Sequence, residues 1–315
     1  MTESATATFT DPDDFCAAIR GAHVNLILTG RGDFKARLTW LKLRHLHVIQ
    51  GRESVARISY VSLQPDRAFV SFLQSSEAPL IWNGIELGAR DLVFHSLGEH
   101  AHQWTKGPSQ WSVASLPFAK LLHYGKVLTD RRLAPPPVGR VLRPQSGATA
   151  QLRRLLSAAC RLAETKPEII AYREAARALE HDLICALVKC LTTAEPRGGL
   201  TKLRHRTDVM LRFETALTAD VVREPSIPKL CTTIGVPERT LRACCAEFFG
   251  VAPSRFLRLR RLNLVRSALQ RADPATTCVA EIAQGYQFAD LGRFAATYRS
   301  LFGEKPSETL QRTTD

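Results

Sequence analysis

No stretch of the 315-residue sequence approaches eighteen consecutive apolar residues, so nothing in it reads as a helix that spans a bilayer. The opening MTESATATFTDPDD has neither a basic start nor an apolar core of signal-peptide length, and the expected location is cytoplasmic. No two of the eight cysteines (Cys16, Cys160, Cys185, Cys190, Cys231, Cys244, Cys245, Cys278) form a C-x-x-C pair. Most fall in apolar, helix-like contexts, so they read as reduced packing residues rather than disulfides or a zinc site, and no cofactor is expected. Acidic side chains are in deficit: 30 Asp and Glu against 43 Lys and Arg leave a net charge of +13, which favours a polyanionic partner. What is present in quantity is apolar, at 45% of residues, enough for a folded chain of two or three domains.

From about 22 to 128 the pattern changes every few residues. VNLILTG, HLHVIQG, VARISYVSL, RAFVSFL and WSVASLP are short alternating runs broken by Gly, Pro and Asp, and Asn83-Gly84 supplies a hairpin turn between PLIW and IELG. Many antiparallel strands closed into a small barrel or jelly roll are predicted, with all four tryptophans (Trp40, Trp82, Trp104, Trp111) in its core or lining a ligand cavity. LAPPPVGRVLRPQSGA, at 133 to 148, reads as a boundary. Beyond it AQLRRLLSAACRLAE and PEIIAYREAARALEHDLICALVKCL have helical period. In the second, Tyr172, Ala176, Leu179, Leu183, Leu187 and Cys190 share one face. A second apolar side (Ile169, Ile170, Ile184, Val188, Leu191) leaves surface for a partner copy. EPRGGL at 195 to 200 breaks the pattern as a linker. The expected division is 1–145, 146–200 and 201–315.

The last third contains a duplication. FFGVAPS at 248 to 254 returns as LFGEKPS at 301 to 307, and at the same offset of 53 Leu241 falls on Phe294. Upstream an offset of 52 pairs Leu230, Cys231, Ile234 and Val236 with Ile282, Ala283, Tyr286 and Phe288. Each copy reads as a helix, a turn and a second helix. In the first, Gly235 permits a left-handed turn, Leu241, Cys244, Cys245 and Phe248 point inward at i, i+3, i+4, i+7, and Glu238, Arg239, Arg242 and Ala243 are left outward at the helix start. Those are the positions that reach base edges when such a helix enters a major groove. The repeated F-G…P-S phrase is helix punctuation, a C-terminal Gly followed by a new start at Pro-Ser. Between the units PSRFLRLRRLNLVRSALQR predicts one helix of about 27 Å, which sets two recognition helices apart by something near one turn of B-DNA. Of its arginines, Arg255, Arg258 and Arg261 are assigned to phosphate contact.

At this point the residues resemble a family. L-C-x-x-I-G-V-P-x-R-T-L (230 to 241), F-G-V-x-P-S (249 to 254), R-L-N-L-V-R, I-A (282 to 283), L-G-R-F (291 to 294) and Y-R-S-L-F-G-E-K-P-S (298 to 307) look like the double helix-turn-helix domain of AraC-type (AraC/XylS) transcriptional regulators. The resemblance implies an α+β multidomain chain with an N-terminal cupin-like β-barrel that binds a small-molecule effector, a helical dimerisation region and a C-terminal all-α DNA-binding domain. It implies a homodimer that binds double-stranded DNA, contacts RNA polymerase and acts as an activator, with no enzymatic role. It places base reading on Arg239, Arg242 and Ala243 in the first unit, and on Leu291, Gly292, Arg293 and Ala296 in the second.

Two departures stand out. Where the family's second turn has Gly followed by an aromatic, this chain has Gln287-Phe288, with a glycine displaced to Gly285; Ala243 stands where a long polar side chain often reads a base. The alternative weighed is a cupin-type metalloenzyme, because His100 and His102 in H-A-H share one side of a strand with His95 nearby; Glu99, however, precedes the pair. An alkyl-transferring DNA repair protein would need a cysteine cluster in the N-terminal half, where only Cys16 stands.

Overall fold

The computed structural model describes residues 2–197, 200–218 and 225–312. Thirteen strands are described: β1 (Glu3–Phe9), β2 (Ala22–Leu28), β3 (Ala36–Lys42), β4 (His47–Glu53), β5 (Arg57–Leu63), β6 (Arg67–Ser76), β7 (Leu80–Trp82), β8 (Ile85–Leu87), β9 (Leu92–Phe94), β10 (His100–Thr105), β11 (Ser109–Pro117), β12 (Arg140–Arg143) and β13 (Glu195–Arg197). Helices α1 (Pro12–Ala18), α2 (Phe118–Thr129), α3 (Ser146–Thr165), α4 (Pro167–Ala171) and α5 (Arg173–Thr192) decorate them. The helical half consists of α6 (Leu200–Thr218), α7 (Ile227–Ile234), α8 (Glu238–Phe249), α9 (Pro253–Arg271), α10 (Val279–Gly285), α11 (Leu291–Phe302) and α12 (Pro306–Gln311). Among the described residues no helix is long and apolar enough to cross a membrane.

The strands form two antiparallel sheets, ordered β1-β3-β4-β11-β6-β9-β12-β13 and β2-β5-β10-β7-β8. This is the strand-rich half that the alternation predicts. Asn83 (φ 44°) and Gly84 (φ 79°) make the β7–β8 hairpin with both central residues left-handed, the geometry that matches strand twist. The sheets face each other across a cavity of about 80 Å³ whose walls include Leu26, Val61, Phe72, Trp111 and Val113. Inside it Glu53 and Arg57 are both buried and paired, and Trp111 Nε1 donates to Glu53 at 3.0 Å.

Helices α3 and α5 lie on the larger sheet and share one apolar cluster with it, from Leu41 and Val48 to Leu183 and Leu187. Glu180 is buried among them because its carboxylate accepts the backbone N–H groups of His45 and Leu46, at 2.6 and 2.9 Å, in the β3–β4 turn. The second apolar side of this region is not free for a partner copy. Ile170, Ile184, Val188 and Leu191 are all buried in the same cluster, and Tyr172, assigned to the inward face, is exposed. The expectation failed because α5 sits between the sheet, α2 and α3, which consumes both stripes.

Candidate nucleic-acid interface

The two copies of the repeat fold as two helix-turn-helix units. In the first, Ser226 caps α7, Gly235 at φ 68° turns the chain, and the N–H of Val236 donates back to the carbonyl of Cys231 at 3.1 Å. In the second, the residues at offset 52 repeat the bond: Phe288 N–H donates to Ala283 at 3.0 Å. Gln287 stands at φ 64° in the place of Gly235, so the left-handed turn is kept with a side chain that disfavours it. Gly250 and Gly303, at φ 68° and 78°, end α8 and α11 alike.

The inward faces are as the spacing predicts. Leu230, Ile234, Leu241, Cys244, Cys245 and Phe248 are buried in the first unit, and Ala283, Phe288, Phe294, Tyr298 and Phe302 in the second. Burial pushes the thiols of Cys244 and Cys245 up, which holds this adjacent pair protonated and inert. All eight cysteines are free, and Cys278, at the start of α10, is the exposed one.

Glu238, Arg239, Arg242 and Ala243 occupy the first turns of α8 and are exposed; Gly292, Arg293 and Ala296 are exposed on α11, with Leu291 half-buried beside them. Asp290 caps α11 by accepting the N–H of Arg293 at 2.9 Å. The side chains of Arg239 and Arg293 have no partner among the described residues, whereas Arg242 donates from Nε and Nη2 to one oxygen of Glu238, at 2.8 and 2.6 Å.

Arginines of α9 divide by face. Arg255 is exposed, and Arg258 donates to Thr297 Oγ1 at 2.8 Å. Arg261 lies with its guanidinium 4.4 Å over the Phe288 ring and donates to the carbonyl of Gln287 at 3.4 Å, bracing the irregular turn. Arg266 is buried over Phe302 with Glu304 at 3.5 Å, which takes it away from any external phosphate.

Sequence reasoning missed α6. Val209, Met210, Phe213 and Leu217 recur at helical spacing and are buried against Leu241, Phe248 and Phe256, so α6 completes the core of the first unit. It also missed how the halves meet. Asn263 of α9 accepts the N–H of Leu28 at 2.9 Å and donates to its carbonyl at 3.2 Å. Trp104 Nε1 donates to the carbonyl of Glu247 at 3.1 Å, and its ring covers Gly250, where an added Cβ would lie 2.7 Å away. His102 is 2.9 Å from Glu214. His102 therefore faces the helices, while His95 bonds Ser71 at 2.7 Å between the sheets. These imidazoles do not converge, and among the described residues no group of three metal-ligating side chains assembles.

Residues 230–312 match a family described as a helix-turn-helix domain. The chain is 36% identical over 124 residues to the XylDLEGF operon transcriptional activator 2 of Pseudomonas putida, covering 39% of this chain and 77% of that protein. It is 37% identical over 95 residues to a probable thc operon regulatory protein of Rhodococcus erythropolis, covering 30% of this chain but only 29% of that regulator. Among solved structures it is similar to the AraC-like transcriptional activator CuxR, at 15% identity over 84% of this chain and 95% of that one, with a TM-score of 0.44. On the matched helix-turn-helix units and the relative spanned over most of its length, this chain belongs to the AraC/XylS family of transcriptional regulators.

Proposed function

We propose that the chain is a sequence-specific DNA-binding transcriptional activator controlled by a small molecule held between its two sheets. The observation that carries this reading is that both helix-turn-helix units leave the first turns of their second helices largely uncovered while burying the apolar faces behind them. Glu238, Arg239, Arg242 and Ala243 read one stretch of major groove, and Leu291, Gly292, Arg293 and Ala296 the next. Arg255, Arg258 and the outer edge of Arg261 hold phosphate. The cavity lined by Trp111 and the Glu53–Arg57 pair is the effector site in this proposal.

The division into residues 1–145, 146–200 and 201–315 belongs to the proposal as effector, helical and DNA-binding regions. RNA polymerase as partner, a homodimer and a cytoplasmic setting also rest on family kinship, and no enzymatic step is assigned. Genome-wide footprints of the full chain supply candidate operators, and competition against random duplex then measures specificity. Footprint-derived sites bound no tighter than random DNA end the proposal.

A further inference from the structure

A groove of about 640 Å³ runs between the loop after β2, the first turns of α9 and the C-terminal half of α11. Its polar lining includes Arg31, Arg255 and Arg258 with the hydroxyls of Ser254, Thr297 and Ser300, and no carboxylate lines it. Arg31 comes from the strand-rich half, and its Nη2 donates to Ser300 Oγ at 3.2 Å. Neither Arg31, Arg255 nor Arg258 has an acidic partner among the described residues, in contrast to Arg143, Arg206, Arg242 and Arg271, which are paired.

The loop that carries Arg31 is fixed at both ends. On one side Leu28 is clamped by Asn263, and Thr29 and Gly30 donate to the carbonyl of Ala56 at 3.0 and 3.3 Å. On the other, Phe34 is buried in the cluster that contains Leu259, Leu262 and Leu301 of the helical half. Arg31 is thus presented to α11 by a braced segment, and little ordering remains to oppose a contact.

On α11, Arg293, Thr297 and Ser300 fall at i, i+4 and i+7, on one stripe. The groove therefore continues the line along which Arg293 meets bases. A helix seated in a major groove is flanked by phosphates, and a strip of guanidinium and hydroxyl donors beside it has the chemistry to receive one.

We infer that Arg31, with Arg255 and Arg258, forms a phosphate site for the DNA backbone, so that the strand-rich half itself grips DNA next to the second recognition helix. This rests on the DNA-binding reading above. It adds a contact that a helix-turn-helix domain alone does not possess.

The test uses the full chain on its footprint-derived site. Arg31→Ala is expected to weaken specific and random duplex by the same factor, severalfold at low salt, and to reduce the slope of log affinity against log salt by about 1. Arg154→Ala, which removes an exposed positive charge on α3, is the control for net charge and should leave the slope unchanged. Arg31 is exposed, and equal melting temperatures of variant and parent exclude a folding effect. A parent that binds specifically, with Arg31→Ala equal to it in affinity and slope, overturns the inference and leaves the broader reading standing. A parent without specific binding instead removes the reading on which the inference rests. Titration with inorganic phosphate is the last arm: Arg31-dependent binding of the free anion beside unchanged DNA affinity would assign the groove to a small phosphorylated ligand and overturn the DNA contact.

Discussion

Arg242 is already engaged on the protein, since its Nε and Nη2 both donate to one oxygen of Glu238. Arg239 and Arg293 carry no such neighbour, so the three arginines should not behave alike. Alanine at Arg239 or Arg293 is expected to cost about 1–3 kcal/mol on the operator and to relax preference at one base pair each, measured with single-base operator variants. At Arg242 the same change frees a carboxylate beside the bases, and the preferred base itself should move toward cytosine, whose amino group a glutamate accepts. Equal, sequence-independent losses at all three positions would refute base reading. Gln287 is the other residue whose chemistry and backbone disagree. At φ 64° it sits where glycine is favoured, so Gln287→Gly should raise stability by about 1 kcal/mol in thermal melts of the full chain. A variant that melts lower than its parent would mean that the Gln287 side chain gives more than its backbone loses.

At the scale of elements, sequence legibility followed periodicity. The duplicated helices, their inward faces and the Gln287 turn were readable because each is fixed by spacing of three or four residues and by Gly or Pro at the ends. Strand β1 and helix α6 are not marked in this way. ESATATF alternates without a large apolar residue until Phe9, and α6 follows a Gly-Gly break that looks like a linker. The two stripes of α5 were visible, but which neighbour covers each is decided by long-range packing that no local pattern encodes. The same holds for Asp91, which ties the chain after β8 to β12 and β13. Its buried carboxylate accepts from Arg143 at 2.8 Å, from Gly88 N–H at 2.9 Å and from Arg197. Burial pushes this carboxyl up, but the three donors outweigh it and hold it below the usual carboxylate range. A depressed carboxyl contributes stability above the unfolded value of about 3.9 and loses it as pH falls through the folded one. Asp91→Asn should therefore lower the melting temperature at pH 7, and the deficit should shrink as the pH falls below the unfolded value. A deficit that persists undiminished in acid would assign the loss to packing rather than charge.

For the whole molecule, the helical half rests on the strand-rich half through both of its units. Phe15, Phe34 and Leu38 share a cluster with Leu262, Phe294 and Phe302, while Ile58 joins the cluster of Phe213 and Phe248. Strands β2, β5 and β10 line the space between the sheets and set Leu28, Ile58 and Trp104 against the helices, so an effector that swells that space would press on these contacts. Trp111 lines the cavity and Trp104 the contact with α8, so binding should change intrinsic fluorescence and shift operator affinity by a coupling of about 1–3 kcal/mol. A ligand that alters fluorescence without altering DNA affinity would separate binding from control. The clamp of Asn263 on Leu28 has a further consequence. Strand β2 is the border of its sheet, and the amide of Asn263 stands where the backbone of another strand would pair. Any state in which the halves part uncovers that border, so relief of docking and exposure to edge-to-edge self-association arrive together. The helix between the two helix-turn-helix units thus also shields this sheet edge from pairing with another copy.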